Sequence, residues 1–103
     1  MIDTIVFDMG GVLVDFSAEL FSKRLHVGAE GQELLTRHLL RTTDWVRLDR
    51  GTITEEEVAA HACARLPEEL HAAVDYIVNH WNEPISPVEG TADVARALKA
   101  RGY

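Results

Sequence analysis

Phe7-Asp8-Met9-Gly10-Gly11-Val12-Leu13-Val14-Asp15 is the stretch on which the reading of this chain turns. Upstream of it, Ile2 to Phe7 is rich in β-branched and aromatic residues that hardly alternate with polar ones. That pattern predicts a strand buried on both faces, as in a parallel sheet. Asp8 then falls at the carboxyl end of the strand, where open α/β sheets place their ligands. Gly10 and Gly11 can adopt backbone angles closed to other residues, and the N–H groups of Met9, Gly10 and Gly11 are expected to cradle an anion. A carboxylate so placed can attack phosphorus and form an aspartyl phosphate. A divalent cation would hold the anionic substrate against the anionic nucleophile. Alone, Asp8 is also what an ordinary strand-end turn carries; the two glycines, Asp15 and matching segments downstream tip the reading toward chemistry. Asp15 itself is read as holding the loop.

Beyond the motif the apolar period becomes helical. Ser17 is a plausible N-cap for a helix presenting Leu20, Phe21 and Leu25. Gly28 to Gly31 reads as a break, and a second helix carries Leu34, Leu35 and Leu39. Thr42 to Gly51 fits either a helix end or a loop. Thr54-Glu55-Glu56-Glu57 is a capping box, opening a helix with Val58, Ala59, Ala62, Cys63 and Leu66 on one side. Pro67 can begin the next helix, whose stripe is Leu70, Val74, Ile77, Val78 and Trp81. Glu83-Pro84 ends it. After Pro87 to Gly90, a last helix bears Val94, Ala95 and Leu98, and Gly102 stands where a left-handed cap is expected.

Composition narrows the function classes. The 103 residues are 47% hydrophobic and 26% charged, enough apolar material for a core. Ten Lys and Arg against seventeen Asp and Glu give a net charge of −7, which argues against nucleic acid or an anionic membrane as partner. No apolar run approaches the ~20 residues needed to cross a bilayer. Met1 leads directly into an acidic, strand-like segment rather than a basic-then-apolar leader. Cys63 is the one cysteine, so no intramolecular disulfide can form. A cytoplasmic protein is the expectation.

F-D-M-G-G-V-L-V-D (Phe7 to Asp15) resembles the first motif of the haloacid dehalogenase-like (HAD) hydrolases, a superfamily dominated by Mg²⁺-dependent phosphatases. L-D-R-G-T-I-T-E-E-E-V (Leu48 to Val58) is similar to a recurrent stretch of the family's helical cap, and P-V-E-G-T-A-D-V-A-R-A-L-K-A-R-G-Y (Pro87 to Tyr103) resembles the helix that returns to the core. The resemblance implies an α/β fold with a Rossmann-type core. Residues 1–15 would supply the first core strand and nucleophile loop, residues 16–84 a helical cap of about four helices, and residues 85–103 the returning core helix. It implies Asp8 as nucleophile and Mg²⁺ ligand, Gly10 offering its carbonyl to the metal, and a small phosphorylated metabolite as substrate. Most of the family's phosphatases carry a second Asp, a general acid/base, where this chain has Gly10. The chain resembles instead the D-x-G-G branch related to sugar-phosphate phosphatases. Haloacid dehalogenation is an alternative, against which Gly10 argues, because dehalogenases carry a bulky aromatic there.

The family's later motifs (a Ser or Thr after the second strand, a Lys, further acidic metal ligands) have no counterpart within these residues. The expectation is therefore an N-terminal portion of such a hydrolase, inactive or nearly so by itself. The alternative from another class is a non-catalytic helical interaction module that self-associates through the strand Ile2 to Phe7, since an unpaired apolar strand is a template for pairing.

Other residues with chemical potential receive plainer readings. His26, His38, His61, His71 and His80 lack metal-binding spacing, and His71 with Asp75 at i, i+4 has no third ligand nearby. Cys63 is a packing residue. Trp45, Arg47, Asp49 and Arg50 fall in the cap segment and are read as a core tryptophan with solvated charged neighbours.

Overall fold

The computed structural model describes Met1–Tyr103 and is mainly helical, with six α-helices and one two-stranded antiparallel sheet. The chain divides into two compact units, one of Ala18–Pro84 and one of Met1–Ser17 with Ile85–Tyr103. No helix is long and apolar enough to cross a membrane.

The Ala18–Pro84 unit contains five α-helices, one more than the four expected: α1 (Ala18–Leu25), α2 (Gly28–Leu35), α3 (Thr43–Asp49), α4 (Glu55–Cys63) and α5 (His71–His80). α1 starts right after Ser17 and turns Phe21 into the core. Its Glu19 and Lys23 pair at 2.7 Å, and acid early with base late also suits the helix dipole. The break that follows is shorter than expected. Only His26 (φ 55°) and Gly28 (φ 70°) take left-handed angles, whereas Gly31 lies inside α2 and is buried. A Cβ at Gly31 would stand 2.8 Å from Val27 Cβ and 3.4 Å from Leu70 Cδ2, so this glycine serves close packing rather than a turn.

α2 runs on into a π turn at Thr36–Leu40, in which Leu39 is fully buried and the Thr36 hydroxyl donates to the Gln32 carbonyl at 2.7 Å. The ambiguous stretch after it is helix α3. Thr42 caps it by accepting from the Trp45 N–H at 3.2 Å while donating to the Leu39 carbonyl at 2.7 Å. The capping box of α4 forms in both directions, Glu57 N–H to Thr54 Oγ1 at 3.2 Å and Thr54 N–H to Glu57 Oε2 at 3.1 Å. Pro67 does not open α5. Its extended ψ of 152° makes it the cap of one 3₁₀ turn, Glu68–Leu70, and α5 begins at His71.

The stripe of α5 closes the core: Leu70, Val74, Ile77 and Val78 are buried beside Phe21, Leu39 and Val58. Trp81, expected at the end of that stripe, lies just past α5 and is 38% exposed. α1 packs on α2, α3 on α4, and α4 on α5.

In the other unit, β1 (Val14–Asp15) pairs antiparallel with β2 (Ser86–Pro87), Val14 opposite Pro87 and Asp15 opposite Ser86. α6 (Thr91–Ala100) follows, entered from Gly90 at φ 86° and closed by Gly102 at φ 95°. The strand expected over Ile2–Phe7 does not form, and Ile2, Ile5 and Val6 are exposed. A strand needs a ladder partner for its N–H and C=O groups, and the one sheet present is built from Val14–Asp15 and Ser86–Pro87. A parallel Rossmann-type sheet is accordingly not part of this structure.

Candidate functional site

The turn after Asp8 is organised around one carbonyl. Met9 C=O accepts from the N–H groups of Val12 (3.3 Å), Leu13 (3.0 Å) and Val14 (3.0 Å), and Gly11 N–H donates to the Val14 carbonyl at 2.8 Å. Gly11 sits at φ 76°, which is why a glycine is needed there. Gly10 and Val14 form a parallel bridge whose hydrogen bonds run through Met9 and Gly11, so Gly10's own N–H and C=O stay outside it.

Two bonds fasten this turn to the segment entering α6. Val88 N–H donates to the Leu13 carbonyl at 3.0 Å, and the Thr91 hydroxyl donates to the Val12 carbonyl at 2.8 Å across 79 residues of sequence. Sequence reasoning does not single out Val88 or Thr91. Thr91 looks like an ordinary helix-start threonine, and nothing in its neighbourhood signals that its hydroxyl bonds a distant carbonyl.

Asp8 is exposed, and its Oδ1 accepts the Met9 N–H at 2.7 Å, a bond in which Oδ2 takes no part. Of the three N–H groups expected to cradle a phosphate, Met9's donates to Asp8 and Gly11's to Val14, while Gly10's takes part in neither bond. A Cβ at Gly10 would meet only Phe16 Cβ, at 3.9 Å, so space exists for a side chain two residues after the carboxylate. The Asp8 carboxylate and the Gly10 carbonyl are hard oxygen donors of the kind Mg²⁺ takes. They are a minority of an octahedral set, and no group of three or more His, Cys, Asp or Glu side chains converges anywhere in the chain. With these donors Mg²⁺ would complete its shell with water and substrate oxygens.

The histidines do not gather. His71 Nε2 lies 3.0 Å from the Cys63 carbonyl and 3.1 Å from that of Leu66, while Asp75 accepts from Asn79. His80 Nδ1 meets Glu83 at 2.9 Å, and the Tyr76 hydroxyl donates to the other Glu83 oxygen at 3.0 Å. Burial pushes the Cys63 thiol up, away from the reactive thiolate. His61, by contrast, reaches Asp44 at 2.8 Å, and that bond, assisted by Arg47 and Arg65, lowers the Asp44 carboxyl below its usual range. A surface cleft of about 490 Å³ along α2 and the π turn, lined by Gln32, Thr36, Arg37 and Arg41 among others, contains none of the residues singled out from sequence.

Comparison with protein-family models, with curated proteins and with solved structures finds no match to this chain.

Proposed function

We propose that residues 1–103 carry the nucleophile loop and helical cap of a haloacid dehalogenase-like hydrolase, one that acts as a phosphatase on small phosphorylated metabolites. The observation that supports this best is the state of Asp8: an exposed carboxylate before a glycine turn, with one oxygen held by a backbone N–H and the other outside that bond.

Asp8 Oδ2 attacks phosphorus; the O–P bond forms as the P–O bond to the leaving alcohol breaks, and the alkoxide takes a proton as it departs. Water then attacks the phosphorus of the aspartyl phosphate and regenerates the carboxylate. Gly10 brings no acid/base group to this loop, so the leaving-group proton comes from solvent or from another part of the protein. Mg²⁺, when bound, neutralises charge between the two anions. Asp8 has no cationic side chain among its hydrogen-bond and ion-pair partners, and residues 1–103 alone are expected to show no appreciable turnover.

Beryllium trifluoride, which mimics a phosphoryl group on a carboxylate, tests the assignment. With Mg²⁺ it should raise the melting temperature of the wild-type chain more than that of Asp8→Asn; saturation at 100 times Kd corresponds to about 2.7 kcal/mol. An unchanged wild type would favour the second reading, a helical interaction module. That reading draws on the exposure of Ile2 (75%) and Val6 (88%), an apolar segment open to a second copy.

A further inference from the structure

Two arginines and a histidine converge on one carboxylate in the Ala18–Pro84 unit. Asp44, in the first turn of α3, is largely covered, with 16% of its side chain exposed. His61 Nδ1 reaches it from α4 at 2.8 Å, Arg47 at 3.5 Å and Arg65 at 3.7 Å. The side chains of Arg47, His61 and Arg65 are about half exposed, whereas the carboxylate they share is largely covered.

Their donors are only partly used. Arg47 directs one terminal nitrogen at Asp44 and donates from the other to the Thr52 carbonyl at 3.3 Å. Arg65 approaches Asp44 no closer than 3.7 Å, beyond a hydrogen bond, so its planar fork is open. With Nδ1 on Asp44, His61 keeps Nε2 as its remaining polar atom. Glu57, the other carboxylate within electrostatic reach of Arg47 and His61, already accepts the Thr54 N–H and hydroxyl in the capping box. Three donor groups therefore share one exposed patch of a chain whose net charge is −7.

We propose that Arg47, His61 and Arg65 form an anion site that takes the phosphoryl group of a small phosphate ester, with Asp44 holding the three side chains in register. A tetrahedral dianion accepts from the Arg65 fork, from the remaining Arg47 donors and, when the ring carries a second proton, from His61 Nε2–H, and charge-assisted bonds of this type are the strong ones. The overall negative charge repels extended polyanions, which selects a small ester over a nucleic acid or membrane surface. Every residue belongs to the Ala18–Pro84 unit, so the site goes beyond the Asp8 chemistry and stands or falls separately from it.

The probe is sulfate, a dianion whose charge is constant between pH 6 and 8, titrated at pH 6 and constant ionic strength against chloride. The readout is the NMR signals of the His61 ring and the Arg47 and Arg65 Nε–H groups. The expected result is a saturable shift at these three residues, competed by glycerol 3-phosphate and retained in Asp8→Asn. Arg47→Gln with Arg65→Gln should weaken it at least about tenfold, given two charged hydrogen bonds lost. A shift that is linear in sulfate, is reproduced by chloride, resists the ester or survives the double substitution would overturn the proposal. The sulfate-against-chloride arm decides the matter on the wild-type chain whether or not the double variant folds.

Discussion

The two units of this chain are built on opposite principles. In Ala18–Pro84, twelve apolar residues are buried, and two of the helices around them, α3 and α4, open on side-chain caps. In Met1–Ser17 with Ile85–Tyr103 no residue is buried, and Ile2, Val6, Met9 and Val94 stand exposed. Here the order comes from backbone bonds in the Met9–Val14 turn and from Val88 and Thr91, which fasten it. Burial is the dominant favourable term in folding, so stability is concentrated in the first unit while the candidate nucleophile sits in the second. Loops and their anchors are drawn from the less stable part of a structure where chemistry needs access.

Core substitution should expose this contrast most strongly. Phe21→Ala is expected to destabilise the helical unit by about 3–5 kcal/mol in chemical denaturation, from lost burial plus the cavity left behind. Val6→Ala, at an exposed apolar position in the other unit, should shift stability by less than about 0.5 kcal/mol. Comparable losses at the two positions would break the division.

Next comes Gly31→Ala, which places a methyl 2.8 Å from Val27 Cβ, a backbone-attached carbon that cannot swing aside. Overpacking of this kind costs about 1–3 kcal/mol, against the gain in helix propensity that alanine would bring at an open site. Increased stability would mean that Val27 does not stand as close to Gly31 as described.

Thr54→Ala removes the cap of α4 and should cost about 1 kcal/mol. It also carries a pH signature. The Thr54 N–H, and after it the Thr54 hydroxyl, lower the Glu57 carboxyl, as His61 lowers that of Asp44. Each carboxyl is more acidic folded than unfolded, so its contribution is present above the ordinary carboxylate range near 4 and is lost as pH falls through the lower folded value. Melting temperature should decline from about pH 5 downward, less steeply in Asp44→Asn, and only slightly less steeply in Thr54→Ala, which loses the hydroxyl but keeps the backbone N–H that lowers Glu57 most.

What is legible in the sequence follows the same division. The capping box, the α5 stripe and the left-handed Gly102 depend on residues at most a turn or two apart, and the box, the buried Leu70 to Val78 part of the stripe and the glycine cap all form. Ile2–Phe7 misleads because β-branched composition reports how a segment behaves once partners cover it, and no ladder forms there. Gly31 reads as punctuation because a glycine that serves close approach looks the same as one that serves a turn. α3 carries a readable signal, Thr42 three residues before Trp45, weakened by its short apolar pattern. At the candidate site, the acidic residue and glycines are visible in Asp8-Met9-Gly10-Gly11, but the anchors are not. Thr91 lies 79 residues from Val12, and Asp44 lies 17 from His61, separations with no periodic trace.

A change confined to the candidate loop bears on that point. Thr91→Val removes one exposed hydrogen bond worth about 0.5–1.5 kcal/mol locally. It should leave the melting of the helical unit unchanged while speeding amide exchange at Gly11, Leu13 and Val14. Unchanged exchange would show that the backbone bonds hold the turn without the hydroxyl.

Amide hydrogen exchange with and without beryllium trifluoride and Mg²⁺ tests the central claim most directly, because it locates the chemistry in one unit or the other. New protection is expected at Asp8–Val14 and Val88–Thr91 and absent there in Asp8→Asn, while any change around Arg47, His61 and Arg65 belongs to the separate anion site and persists in that variant. No new protection at Asp8–Val14, or protection there that survives Asp8→Asn, would contradict the placement of a phosphoryl-accepting carboxylate at Asp8.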